Sequence, residues 1–186
     1  MNYQALAIGA ALAWAATRLA RPSLPPRGFT WPDFLRGCEH HVRDPEQLPE
    51  IAKAGFVALA PYVRLIWSIT GHAYIRGWYR PTACNAERGG TSRSRHLAGW
   101  AVDLNLSSSQ TRALIGRLRE LGAVDGRGRV INPDRWGAYV RTQLGTARKV
   151  GLKIYASGNI HIDLGCPEEA RECSPRSRDW LVVDYG

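Results

Sequence analysis

The sequence predicts a single α+β domain with a small antiparallel sheet flanked by helices. Residues 101–106 and 159–164 alternate apolar and polar side chains, which is the period of half-buried strands. Other stretches place their apolar residues three and four positions apart, as amphipathic helices do. With 186 residues, the chain is long enough to bury the core of one domain.

The first 22 residues form a hydrophobic segment ahead of this domain. Residues 3–16 are uncharged and rich in alanine, and Arg18 and Arg21 follow them. The run is shorter than the roughly 20 apolar residues of a membrane span, but it has the length of the apolar part of a signal peptide. No basic residue precedes it, so it is not a clean export signal. A signal, a membrane anchor and a helix that docks on a partner remain alternatives, with export or membrane attachment slightly favoured.

The first half of the domain is predicted to contain a linker and two helices. Residues 23–28 have the composition of a linker. Thr30, followed by Trp and Pro, is a typical helix start. From Pro45, apolar residues at helical spacing predict a long core helix that Gly71 ends and Pro61 kinks.

The second half is predicted to alternate strands and helices. Residues 73–79 favour a strand that brings Arg80 to the end of the sheet. The serines at 107–109 begin one helix, and residues 132–151 are predicted to form another. Residues 152–164 then read as a hairpin around a short turn, which supplies the last strand of the sheet.

The polar faces of the two alternating segments carry metal-ligand residues. Pairing of the segments would place Asp103, His161 and Asp163 on one face. His96 precedes Asp103 by seven residues, where a loop through Gly99 can bring its imidazole back over that face. Two imidazoles and one carboxylate leave a fourth position of a zinc ion open for water, which is the catalytic pattern. Taken singly, each of these residues also fits an ordinary histidine or a turn-capping aspartate.

Residues 94–103 follow the pattern Ser-x-His-x-x-Gly-x-Ala-x-Asp, and this pattern resembles the signature of the zinc D-Ala-D-Ala peptidases of the M15 family. The resemblance extends to further segments: residues 29–34, 77–80, Asn85, 89–90, 157–165 and 178–180. It spans residues 29–180 and is nearest to the subgroup that ends in His-x-Asp. It implies a hedgehog/DD-peptidase-like zinc fold for residues 29–186.

The resemblance also implies roles for individual residues. One zinc ion per chain would be held by His96, Asp103 and His161. Arg80 resembles the arginine that stabilises developing charge on the substrate carbonyl, with a surface ion pair as the alternative. Ser94 resembles the serine that binds substrate near the zinc, with a turn hydroxyl as the alternative.

The general base is the point where the chain departs from the family pattern. Much of the family has an acid three residues before the last histidine, where this chain has Gly158. Asp163 is the predicted substitute, because two residues along a strand return it to the ligand face. Its alternative role is to orient an imidazole. As the base, Asp163 would be needed for cleavage but not for zinc. The glycine also favours a second reading, a non-catalytic module that keeps the zinc fold and binds cell wall or protein.

The cysteines and the remaining histidines have no predicted catalytic role. The even number of cysteines and the export reading favour disulfides, and we predict Cys38 with Cys84 and Cys166 with Cys173. Three pairings exist, and four thiols are the alternative in a reducing cytoplasm. The other histidines are read as ordinary surface residues: His40, His41 and His72.

The formal charge of +9 suits an anionic partner. Nucleic acid is not expected, because the arginines are scattered and no nucleic-acid motif occurs. Peptidoglycan, with its carboxylates, fits the same charge. The sequence thus predicts a zinc peptidase for peptidoglycan stem peptides or crosslinks, of D,D-carboxypeptidase or endopeptidase type, in bacterial or phage wall lysis or remodelling. It is expected in the periplasm or cell envelope, anchored to a membrane or a virion through residues 1–22.

Overall fold

The structure is a computed structural model that describes residues 24–166 and 179–184. Its centre is a five-stranded sheet in the order β1-β2-β4-β3-β5. The strands are β1 (Tyr74–Gly77), β2 (Ala101–Asn105), β3 (Val150–Ile154), β4 (Asn159–Leu164) and β5 (Trp180–Val183). The helices are α1 (Trp31–Leu35), α2 (Glu50–Thr70), α3 (Thr82–Glu87), α4 (Ser108–Glu120) and α5 (Pro133–Leu144). Three short 3-10 helices are Glu39–His41, Pro45–Gln47 and Arg95–Ala98.

The predicted α+β class is confirmed, and the sheet is mixed. β1, β2, β4 and β3 pair antiparallel in that order, as expected. β5 pairs in parallel with β3. A parallel partner requires the chain to cross over before it pairs, which alternation within a strand cannot indicate. The predicted N-terminal segment lies outside the described residues.

The alternating strands bury one face, as predicted. Leu104 of β2 lies opposite Ile160 of β4, and Val102 lies opposite Ile162. All four side chains are essentially inaccessible to solvent. Burial of this face determines the register, because a shift by one residue would expose the whole apolar set. The polar residues of both strands are thereby held on the opposite face.

Helix α2 begins later than predicted. Pro45–Gln47 form a separate 3-10 helix, and α2 starts at Glu50 after Pro49, continues through Pro61 and is capped by Gly71. It is long and apolar enough to cross a membrane by length and composition alone. Nine of its residues are buried in the protein core: Ala52, Gly55, Phe56, Leu59, Ala60, Tyr62, Val63, Leu65 and Ile66. The predicted role as a core helix therefore holds.

The predicted end of the helix that begins near residue 132 was wrong. α5 ends at Leu144, because Gly145 adopts the left-handed conformation that terminates helices. Gly151, the predicted end, lies inside β3 and pairs with Asp163. Burial favours this outcome, since Val150, Leu152 and Ile154 are all buried and complete the core face of the sheet.

A disulfide joins the 3-10 region before α2 to helix α3. Cys38 and Cys84 are bonded, with 5.8 Å between their Cα atoms, as predicted. Cys166 is also disulfide-bonded. Its predicted partner, Cys173, lies outside the described residues. The bonded cysteines agree with the disulfide prediction rather than with four thiols.

Candidate metal centre

Two of the predicted ligands face each other across paired strands. Asp103 on β2 lies directly opposite His161 on β4 in the antiparallel register. The Nδ1 atom of His161 is 2.8 Å from Oδ1 of Asp103. Because the buried apolar face determines this register, the two side chains are brought together by the folding of the sheet.

The third predicted ligand comes from the loop before β2. His96 lies in the 3-10 helix Arg95–Ala98, which Gly99 ends in the left-handed conformation. The Nδ1 atom of His96 is 2.6 Å from the carbonyl oxygen of Trp78. A carbonyl only accepts hydrogen bonds, so Nδ1 carries the proton. Nε2 is then left with its lone pair, 3.4 Å from Oδ1 of Asp103.

We call His96, Asp103 and His161 the buried cluster. Their ligand atoms all lie within 4.8 Å of one another. Ligands of a tetrahedral zinc ion, at about 2.0–2.1 Å from the metal, are separated by about 3.3 Å. The two distances to Asp103, 2.8 and 3.4 Å, bracket that value. The donor set and its spacing therefore fit zinc, while the role of the three residues as ligands stays a prediction.

The electrostatic environment of Asp103 and His96 favours the protonation states in which these two residues bind a metal. Burial would raise the pKa of Asp103, but its interactions with the imidazoles of His96 and His161 hold that pKa far below its usual value. Burial lowers the pKa of His96, against the opposing effect of Asp103. A carboxylate and a neutral imidazole are the forms that bind metal ions.

Arg80 is bound to the buried cluster. Its Nη2 atom forms an ion pair with Oδ2 of Asp103, and its backbone N–H donates to the carbonyl of His96 at 2.9 Å. The guanidinium is largely buried, and its Nε atom has no hydrogen-bond partner among the described residues. Arg80 therefore has a donor left over beside the cluster, and its role at a substrate carbonyl stays a prediction.

Ser94 forms the turn contact that was its alternative interpretation. Its hydroxyl accepts a hydrogen bond from the backbone N–H of His96 at 3.3 Å and caps the short helix. The hydroxyl thus helps to hold the loop that carries His96. Its predicted contact with substrate is untested and stays a prediction.

Asp163 lies on the other side of the His161 ring. Its side chain is buried, and Oδ2 is 3.3 Å from Nε2 of His161, the nitrogen that does not face Asp103. Oδ1 is 3.6 Å from Nε of Arg95. A carboxylate on the distal nitrogen is the arrangement that orients a ligating imidazole. The role as base stays a prediction.

Trp180 also contacts His161, and sequence reasoning did not foresee this contact. The two rings are nearly parallel, with an interplanar angle of 14° and 6.5 Å between centroids. Trp180 pairs with Gly151 of β3, where a β-carbon would lie 2.4 Å from the indole. The glycine lets the indole lie across the sheet towards His161.

The contact of the Trp78 backbone carbonyl with His96 was not predicted either, because main-chain contacts leave no trace in the residue pattern.

Gly158 cannot be replaced by an acid without strain. Its φ is +81°, and a β-carbon there would lie 2.6 Å from the carbonyl oxygen of Leu106. Its own carbonyl accepts from the N–H of Leu106 at 3.0 Å. The close contact between the hairpin and the end of β2 thus requires glycine, and the family's acid has no room in this backbone.

A cleft opens beside Asp103. Its volume is about 500 Å³, and it is lined by Arg76, Arg80, Arg88, Asp103, Tyr155, Ser157 and Asn159. Arg76 and Arg88 were not singled out in the sequence, because nothing distinguishes them from the many other arginines. The cleft gives an extended ligand access to the face of the buried cluster on which Asp103 lies.

A second group of possible metal ligands lies at the surface. His40, His41 and Glu87, which we call the surface cluster, also have ligand atoms within 4.8 Å of one another. The Nε2 atom of His41 is 2.9 Å from Oε2 of Glu87, and that of His40 is 3.7 Å from the same oxygen. The sequence had marked these histidines as ordinary, since their partner is 46 residues away from His41.

Residues 70–133 match the sequence model of a family described as Peptidase M15. Arg80, His96 and Asp103 fall inside that range, whereas His161 follows it. No curated protein matches this chain.

Proposed function

We propose that this chain, whose residues 70–133 match the sequence model of the M15 peptidases, is a zinc peptidase that hydrolyses peptide bonds in peptidoglycan stem peptides or crosslinks. The reaction would be of D,D-carboxypeptidase or endopeptidase type. A peptidase is the activity that the family match supports. The metal, the substrate and the type of bond are our proposal.

The observation that carries the proposal is the convergence of the buried cluster beside an open cleft. Asp103 belongs to both, because it contacts His161 and also lines the cleft. Three ligands from protein leave a zinc ion a position for water or substrate. When bound there, zinc would polarise a carbonyl and lower the pKa of a water molecule.

Arg80 is proposed to bind the carbonyl oxygen of the substrate. It is anchored through its pair with Asp103, so its planar cation is held in one orientation. Because Arg80 also lines the cleft, its guanidinium can meet developing negative charge on a substrate there without reorganisation. Asp163 is proposed to hold the imidazole of His161 in position from the opposite ring nitrogen.

Charge and cysteine chemistry support the substrate and the compartment. A formal charge of +9 favours association with an anionic polymer such as a cell wall. Disulfides at Cys38–Cys84 and at Cys166 are typical of oxidising compartments. We propose a location in the periplasm or cell envelope, with residues 1–22 contacting a membrane or a virion protein.

A specific observation favours a second candidate, a non-catalytic domain that binds cell wall or protein. Peptide hydrolysis requires a group that accepts a proton from water and passes it to the leaving amine. Gly158 occupies the usual position of that acid. Asp103 is the one carboxylate among the described residues that line the cleft. If Asp163 only orients His161, the site lacks the usual base.

Digestion of purified peptidoglycan decides between the two candidates. The full chain is incubated with peptidoglycan, with and without a chelator, and the fragments are identified by mass spectrometry. We expect new peptide ends that disappear with chelator and return with added zinc. A protein that binds one zinc ion and pellets with peptidoglycan but releases no fragment would replace the enzyme by the binding module.

A further inference from the structure

We propose that Arg76 and Arg88 form a subsite for a carboxylate of the substrate, next to the buried cluster. The subsite lies in the cleft that also contains Arg80 and Asp103. This inference rests on the proposed function, because it specifies which peptides the same cleft prefers.

Arg76 lies on the exposed face of β1, at a β-bulge beside the cleft. On β1, Ile75 pairs with Leu104 and Gly77 pairs with Asp103, so Arg76 is the extra residue between two consecutive partners on β2. Bulges are frequent next to active sites. Here the extra residue is an exposed arginine beside the pairing position of Asp103.

Arg88 reaches the cleft from the end of α3. Its Nη2 atom donates to the carbonyl of Gly37 at 3.0 Å. Gly37 precedes Cys38, whose disulfide with Cys84 ties this segment to α3. Arg88 is therefore held in place by a main-chain contact and a covalent link, which reduces the entropy it loses when it binds an anion.

The charges in the cleft are not balanced. Asp103 is the one acidic residue in the described lining, and it is already paired with Arg80. Arg76 and Arg88 make no ion pair with any residue in the described part of the chain. Two arginines that face a cleft without a carboxylate partner provide the planar, multi-donor surface that carboxylates bind.

A stem peptide offers carboxylates of two kinds, the C-terminal one and the α-carboxylate of a γ-linked D-glutamate. Both have the chemistry that the subsite would recognise. A single synthetic pentapeptide in three forms separates the sources: with both carboxylates free, with a C-terminal amide, and with the D-glutamate amidated.

The test measures binding and cleavage of these three peptides with the zinc-loaded full chain. The variants are Arg76→Gln, Arg88→Gln and the double substitution. Arg127→Gln serves as the matched control, since it removes one charge from an exposed turn outside the cleft.

For the peptide with both carboxylates free, we expect each cleft variant to raise Kd and KM about 10-fold with little change in kcat, because the contact exists before and during reaction. The peptide in which the recognised carboxylate is amidated should bind weakly to the wild type and equally weakly to the variants.

Calorimetric binding keeps this inference distinguishable from the proposed function. Suppose that the wild type cleaves none of the peptides but binds more tightly those in which one particular carboxylate is free, and that the variants lose this preference. The subsite then stands and the enzyme proposal fails. If the wild type cleaves all three peptides equally well, the subsite is overturned and the enzyme stands. An equal loss in Arg127→Gln would also overturn it, since overall charge would then explain the effect.

Discussion

Two regions of this protein offer the same ligand chemistry, two imidazoles and one carboxylate, in different surroundings. In the buried cluster the side chains are between 4% and 20% exposed. In the surface cluster, His40 and Glu87 are 66% and 58% exposed. Two residues of the buried cluster lie on paired strands and the third on a 3-10 helix. The surface cluster joins a different 3-10 helix to the end of α3.

The difference lies in what surrounds the ligands rather than in the ligands themselves. His96 has its tautomer determined by the carbonyl of Trp78, and His161 is held by Asp163 and Trp180. Among the described contacts of His40 and His41, the polar side-chain partner is Glu87. A metal site requires partners that orient each ligand and a local environment that limits competition by water. We therefore expect the buried cluster to bind zinc tightly and the surface cluster to be an ordinary ion pair.

The largest expected effect comes from removing a ligand of the buried cluster. His161→Ala should lower the zinc content from one ion per chain to near zero and reduce cleavage to background, because two ligands remain. His41→Ala is the matched control and should keep both. Zinc is measured by atomic spectroscopy after extensive dialysis. Stoichiometric zinc in His161→Ala, or its loss in His41→Ala, would reverse the assignment of the two regions.

The second-largest expected effect comes from changing Asp163, the carboxylate that contacts His161. Asp163→Asn keeps the shape of the side chain but removes its charge. Because Asp163 contacts the distal nitrogen, we expect zinc affinity to fall by about 10–100-fold while zinc-saturated protein retains most of its turnover. If Asp163 is the base instead, Asp163→Asn should keep full zinc affinity, and its rate of peptide cleavage should fall by about 10²–10⁴-fold. Zinc titration and single-turnover cleavage distinguish the two.

Removing a disulfide should affect the two regions differently. Replacing Cys38 and Cys84 by serine is expected to lower the free energy of unfolding by about 2–4 kcal/mol, measured by chemical denaturation. The bond ties the segment with His41 to the helix that ends at Glu87, so the ion pair between them should weaken. Asp103 and His161 lie on paired strands that this bond does not join, and His96 is held by the carbonyl of Trp78, so zinc affinity should remain. A parallel loss of zinc affinity would contradict that independence.

The smallest expected effect tests the hairpin before His161. Gly158→Ala should lower the free energy of unfolding by about 1–3 kcal/mol, because a β-carbon at φ +81° meets the carbonyl of Leu106. Gly126→Ala is the control, since nothing lies within 4 Å of its β-carbon position. Gly158→Asp should be destabilised as well and gain no activity. A more active Gly158→Asp would show that the hairpin has room for the family's acid.

Much of the scaffold was predictable because local patterns determine it. The alternation in residues 101–106 and 159–164 predicted two half-buried strands, and burial of one face then required Asp103 and His161 on the other. The cap at Ser107 and the end of α2 at Gly71 also follow from single residues. Where local signals competed, prediction failed, as when helical spacing was extended through Gly145 into β3.

The sequence by itself predicted the candidate ligands and determined the two strands that carry Asp103 and His161, since period and residue type are properties of short segments. Tertiary structure alone decided which groups surround those ligands. The carbonyl of Trp78, the ring of Trp180 and the bulge at Arg76 depend on contacts between distant segments and on the backbone path. The surface cluster arises in the same way, because a disulfide brings His41 to Glu87. Such contacts have no fixed spacing along the chain, so no sequence pattern records them.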